Sequence, residues 1–307
     1  MNPAFSVVLF TTIAGAAQGL VVALALAALG GIDMTPAFLA LGLEIAGVML
    51  IIGLLASFGH LGRKERAWRA VLMWRTSWLS RECLVLPAFI AWVALWWLML
   101  QSAPVRMFVP VVALVLAASL WLCTAMIYAC LRFIEEWAQP LTLINFVLIG
   151  LSSGFVLASA LAASAGESEV LRLTAPVAIA VTIGALVARV ASLRRNAALR
   201  HRSTLQTATG IRSPHLVQKS MGMSAGAFNT REFFHGRTLA LLKSVRQTFL
   251  ICGFVVPALL ALVAMLSAAS VWWWLAVVSQ SVGLLAERWF FFAQAQHPQN
   301  LYYQVVS

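Results

Sequence analysis

Between residues 57 and 82 the sequence reads SFGHLGRKERAWRAVLMWRTSWLSRE, which gathers six of the chain's 21 Lys and Arg beside Glu65, Glu82 and His60. That concentration stands out because only 10% of the chain is charged. An imidazole titrates near neutral pH and a carboxyl group gives or takes a proton, so His60 and Glu82 suit general acid–base work. Arg63, Arg66 and Arg69 can stabilise negative charge developing on an oxygen. A lipid-soluble quinone needs this combination, because each carbonyl wants a hydrogen bond and protons must move when electrons do. The same residues admit a structural reading in which His60 caps a helix and the arginines hold lipid phosphates.

Whatever positions these groups lies in a membrane. The 307 residues are 62% hydrophobic, with a mean hydropathy of +0.91. Runs of about twenty apolar residues are long enough to cross a hydrocarbon layer roughly 30 Å thick as helices. Without period-two alternation a β-barrel is excluded, leaving an all-α integral membrane protein. The punctuation by charge, Pro and Gly predicts eight transmembrane helices, near 6–30, 36–58, 83–101, 105–130, 141–165, 172–191, 248–270 and 272–293. The amino terminus lacks the basic region of a secretory signal, and its long apolar run is read as a retained first span.

An even number of spans puts both termini on one side, together with loops 59–82, 131–140 and 192–247. That side holds 19 of the 21 Lys and Arg, against Arg106 and Arg172 on the other. The positive-inside rule therefore predicts cytoplasmic termini and loops, and it explains the net charge of +11 without a nucleic-acid partner. Spans one to four and five to eight each carry their largest basic loop after the second helix, a pattern expected of two four-helix units.

His60 at the end of the second span and Glu82 at the start of the third fall at similar depth in an antiparallel hairpin. Trp68, Val71, Leu72, Trp78 and Leu79 recur between them at helical spacing, predicting a short helix along the interface. Glu44 lies sixteen residues before His60, about 24 Å along a helix axis, nearer the opposite face. It is read either as part of a proton path or as a partner of Gln18 or a neighbouring helix. Asn145 and Gln280 read as interhelical hydrogen-bond partners. Arg189, Glu287 and Arg288, at cytoplasmic span ends, either line the same pocket or anchor the helices.

Other motifs are weaker. GLSSG at 150–154 matches G-x-S-x-G, but Ser152 falls inside a span instead of on a strand-to-helix turn, so a serine hydrolase is disfavoured. Gly150 with Gly154, and Gly15 with Gly19, read as close-packing pairs. Cys83, Cys123, Cys130 and Cys252 form no C-x-x-C pair and read as small buried hydrophobes. Haem is not expected, because among the five histidines only His60 stands at a span end. No iron–sulfur spacing is present either, so electrons must pass to or from a partner subunit. A multi-span transporter is the competing class, motivated by the span count, the possible repeat and Glu44. Its polar groups should converge at the midplane, whereas these cluster at one face.

Three stretches, SFGHLGRKERAWRA with SWLSRE, FNTREFFHGR before the seventh span, and AERWFFFAQAQHPQNLYY, together resemble the membrane anchor subunits of dimethyl sulfoxide reductases. These DmsC-like proteins are distant relatives of the NrfD and polysulfide reductase anchors, and the resemblance covers the whole chain. It implies a three-part complex with a molybdopterin catalytic subunit and a ferredoxin-like iron–sulfur subunit, the anchor exchanging electrons with menaquinone or ubiquinone. It implies quinone binding at His60, Gly62, Arg66 and Glu82, although RKE between His-Leu-Gly and Arg66 departs from some members. It makes Arg231, Glu232, Phe233, His235 and Arg237 the expected dock for the iron–sulfur subunit. The cytoplasmic placement is similar to that of sulfite-oxidising relatives, which reduce quinone; the usual family direction is the reverse.

Overall fold

The computed structural model describes residues 3–59, 63–100, 107–216 and 239–298. His60, Gly62 and the five expected docking residues between 231 and 237 lie outside them. The described residues form helices and connecting turns, and eight helical segments are long and apolar enough to cross a membrane. They comprise α1 (Phe5–Leu29), α2 (Pro36–Phe58), α3 (Trp78–Leu100), α4 (Phe108–Ala129), α5 (Pro140–Ala165) and α6 (Ser168–Ala197). A short α7 (Leu205–Thr209) precedes the seventh span, built from α8 (Leu239–Leu250), a π turn over Ile251–Val255 and α9 (Val256–Ser267); α10 (Ser270–Ala293) is the eighth.

Local chemistry sets several boundaries. Thr35 caps α2 by accepting the Phe38 N–H, with Pro36 preset at the first helical position. Gly166 ends α5 in the left-handed conformation, at φ 76°. Three spans differ most from the sequence expectation, and the seventh begins well ahead of 248, at Leu239. The third span starts at Trp78, not near 83, because the helix begins in the amphipathic stretch ahead of the apolar run. The sixth runs from Ser168 to Ala197, longer at both ends than 172–191, since Glu169 and Arg194 sit in its terminal turns, where they oppose the helix dipole.

The enclosed centre is made by α1 and α5, the helices with the most buried spans, while α3 is the most exposed. α1 packs on α2, α4, α5 and α10. It meets α5 at glycine: a Cβ on Gly19 would fall 2.0 Å from the Gly150 carbonyl oxygen, and one on Gly154 would fall 2.0 Å from the Gly19 carbonyl carbon. Small residues let backbones touch where lipid offers no hydrophobic drive to association. Gly154→Ala is therefore expected to force the two backbones apart and cost at least the upper end of the roughly 1–3 kcal/mol typical of overpacking. Thermal unfolding of the detergent-solubilised protein measures it. A second glycine contact, Gly253 against Gly283, seats the π turn on α10.

The helix ends differ in character. At one end Trp92, Trp97 and Trp274 donate their indole N–H groups to the Val109 carbonyl, Glu44 and Ser164, as interfacial tryptophans do. At the other, Tyr128, Trp137, Phe146, Phe291 and Phe292 pack ring against ring, and the Trp137 indole donates to the Phe291 carbonyl at 3.0 Å. Here the turn after α4 is tied to the segment after α10, since Glu136 accepts the Gln296 N–H at 3.2 Å. Burial pushes the Glu136 carboxyl above its usual range, partly opposed by backbone hydrogen bonds and His201.

Candidate functional site

Glu82 sits in the second turn of α3, buried to 6% exposure, and Thr124 of α4 donates its hydroxyl to Oε1. The two meet because α3 and α4 run antiparallel, so a residue just inside the start of one lies level with a residue just short of the end of the other. Thr124 is likewise buried, and Cys83 and Cys123 adjoin the pair in the chain. A buried carboxyl at the membrane edge, held by one hydroxyl, can hydrogen-bond a carbonyl-bearing ligand or exchange a proton with it.

Arg66 stands elsewhere. It is exposed on a 3₁₀ helix, Lys64–Val71, which packs against α3, and among the described residues it forms no ion pair. The helix expected over Trp68, Val71, Leu72, Trp78 and Leu79 is split: Trp68 and Val71 lie on the 3₁₀ segment, Leu72 follows it, and Trp78 and Leu79 open α3. Trp68, Leu72 and Trp74 are exposed, and Arg69, Arg75 and Arg81 lie over the rings of Trp68, Trp74 and Trp78 at 5.5, 5.4 and 4.2 Å. Guanidinium groups over tryptophan faces form a surface suited to lipid headgroups.

Arg189, Glu287 and Arg288 converge on one buried cluster. Arg189 Nε lies 2.7 Å from Glu287 Oε1, and Arg288 Nε donates to Oε2 of the same carboxylate. All three side chains are at most 3% exposed. The Arg288 guanidinium also lies 4.2 Å from the Phe146 ring centre, and that of Arg189 5.4 Å from Phe249. Two cations share one carboxylate here, and Tyr128 lies within electrostatic reach of both Arg288 and Glu82.

The remaining polar residues have structural partners. Asn145 donates to Ser192 at 2.7 Å, and Gln280 to Ser152 at 2.7 Å, both across helices as expected. Ser152 also shares a 2.7 Å hydrogen bond with Thr182, and among the described residues no histidine or carboxylate stands with it as a base. Glu44 is paired with Trp97 of α3 at 2.8 Å, whereas Gln18 turns back to donate to Ala14. Thr124 was missed in the sequence, though counting depth from the helix ends would have set it level with Glu82.

A family model described as "DMSO reductase anchor subunit (DmsC)" matches residues 1–293. The chain belongs to the DmsC family. A relative in Allochromatium vinosum (strain ATCC 17899 / DSM 180 / NBRC 103801 / NCIMB 10441 / D), named as a sulfite dehydrogenase subunit, is 46% identical, the alignment covering 100% of each chain. DmsC membership makes this a multi-pass membrane anchor subunit of an oxidoreductase, and the full-length likeness is consistent with a sulfite-oxidising relative.

Proposed function

We propose that this chain is the quinone-reactive anchor of a complex of three subunits, passing electrons from an iron–sulfur subunit, itself supplied by a molybdopterin subunit that oxidises sulfite, to membrane quinone. The observation that carries the reading is the full-length likeness to a subunit of a sulfite dehydrogenase. The placement of Glu82 supports it, since a carboxyl group buried in a lipid-embedded bundle is costly and so marks a candidate functional site.

In this reading the quinone, menaquinone or ubiquinone, supplies the two-electron chemistry at the membrane edge. Glu82, oriented by Thr124, and His60 at the end of the second span hydrogen-bond its headgroup and exchange protons with it. Gly62 lets the turn approach the ring, and Arg66 supplies positive charge from the 3₁₀ helix. Arg231, Glu232, Phe233, His235 and Arg237 dock the iron–sulfur subunit. Both termini and the basic loops face the cytoplasm of a bacterial inner membrane, following the charge asymmetry. The eight spans are arranged as two four-helix units whose first helices, α1 and α5, cross at the centre.

Purification from the native membrane in mild detergent, followed by mass spectrometry and metal analysis, tests the assembly. Molybdenum, iron and two soluble subunits are expected to accompany the chain. Sulfite-dependent reduction of a quinone analogue by that preparation fixes the direction; activity only with a quinol and an S-oxide would reverse it. A chain that emerges alone and metal-free, and that transports solute in liposomes, would replace the reading with a transporter.

A further inference from the structure

α2 and α10 both pack on α1 and on α5, but no packed interface joins the two to each other. Between them lies a cleft of about 270 Å³, floored by α1 and α5. Along α10 it is lined by Trp274, Val277, Ser281 and Leu284, which recur at helical spacing on one face. The opposite side is formed by Ile45 and Met49, one turn apart on α2. The cleft opens to the side of the bundle, since Trp274 and Ser281 are exposed beside Val278 and Val282, which are 61% and 54% exposed as lipid-facing residues of a span are. From Trp274 to Leu284 the stripe covers about 15 Å of helix at a rise of ~1.5 Å per residue. That is the depth of one leaflet, half of a hydrocarbon layer roughly 30 Å thick. It starts at the tryptophan-bearing end of the bundle, where the Trp274 indole donates to Ser164.

The side-chain donors in the wall spend their protons on the protein. Thr12 donates to the Val8 carbonyl, Ser281 to the Val277 carbonyl, and Ser153 to the carbonyls of Ile149 and Gly150. The Gln280 amide donates to Ser152 and to the Gly253 carbonyl. Water in the cleft would find acceptors but no donor, whereas hydrocarbon needs neither. Size then selects among apolar occupants. An apolar cavity of roughly 150 Å³ takes a single benzene ring, so this one holds more than a ring. A transmembrane helix about 10 Å across would need on the order of 1,000 Å³ over the same length. One extended hydrocarbon chain, with neighbours at contact distances of roughly 4.5 Å, needs on the order of 300 Å³. The cleft therefore has the length and volume of one such chain.

We propose that the cleft between α2 and α10 is a binding site for one acyl chain of a membrane phospholipid, with its headgroup beside Trp274. The chain lies along the α10 stripe and completes the side of the bundle where α2 and α10 leave α1 and α5 uncovered. An unbranched acyl chain fits better than the methyl-branched isoprenoid chain of a quinone, which is wider. A quinone held at Glu82 would also carry its chain along α3 and α4, and neither helix supplies a residue to this wall. The site stands independently of the quinone reading.

Phosphatidylglycerol with a diazirine on one acyl chain tests the site. The protein, purified from its native membrane with whatever accompanies it, is loaded with this probe and irradiated before or after a wash in excess detergent. Adducts are then mapped by mass spectrometry. Before the wash, adducts are expected at Val277 and Leu284 in the cleft and at Val278 and Val282 outside it. After the wash, those at Val277 and Leu284 should remain and those at Val278 and Val282 should be lost. Equal loss at all four positions would mean that the cleft holds only bulk lipid and would overturn the proposal, with no variant having to fold. Ala16→Leu, which adds bulk to the floor, should remove the retained adducts while Val278 is still labelled before the wash; full retention in that variant also counts against the site. An excess of a quinone with an isoprenoid chain should leave the retained adducts in place. Displacement by that quinone would assign the cleft to a quinone tail and overturn the phospholipid. The readout is an adduct and not turnover, so a failed quinone assay removes the preceding reading and leaves this one intact.

Discussion

In the assembled complex, His60→Ala and Glu82→Gln are each expected to lower quinone-linked turnover by about 10²- to 10⁴-fold, the range that a positioned acid or base contributes. Electron transfer from the soluble subunits to an artificial dye should be unchanged in both. The separation is what a quinone site demands, because the dye takes electrons before they reach the anchor. Gln retains the shape of Glu82 and still accepts a hydrogen bond from Thr124, so folding is spared and only proton exchange is lost. A Glu82→Gln complex with full quinone turnover would move the site away from α3, and one that loses dye activity as well would point to failed assembly.

The second large effect concerns the buried charges. Glu287→Ala leaves Arg189 and Arg288 facing each other with no anion between them, both at most 3% exposed. Breaking a buried ion pair by removing one partner costs roughly 3–5 kcal/mol, because the remaining charge is left uncompensated. Here two charges are left, so the upper end is expected, seen as loss of the chain from membranes or a large fall in Tm. Arg189→Met should cost less, since Glu287 and Arg288 remain as a balanced pair and the methionine stem still packs on Phe249. Equal losses in the two variants would show that Arg288 does not depend on Glu287.

Much of the fold was legible because membrane spans are written in composition. Apolar runs of sufficient length can only be helices in lipid, so eight spans followed from hydropathy alone. Boundaries at Trp78 and Ser168 were less legible, because a helix continues past the hydrocarbon edge wherever amphipathic or capping residues allow it. At the site, Glu82 stood out as a carboxyl at a span start. Its partner Thr124 did not, since a threonine in an apolar run carries no mark until the antiparallel neighbour is placed beside it. Arg189, Glu287 and Arg288 were visible as charges near span ends that either shared a pocket or anchored their helices separately. Their convergence depended on α6 and α10 closing on the same region, a tertiary fact that no spacing in the sequence encodes. The interfacial helix anticipated from the tryptophan and leucine repeat is only partly present, since the 3₁₀ segment ends at Val71 and Trp78 and Leu79 belong to α3.

The glycine contact between α1 and α5 also constrains how the chain can be made. Residues 5–29 are synthesised before residues 140–165, yet part of the surface that encloses them is supplied by that later segment. Until that fifth helix enters the bilayer, the first must wait among lipids with its glycine face uncovered. α1 therefore finishes packing late, and assembly of the bundle is gated by synthesis of α5.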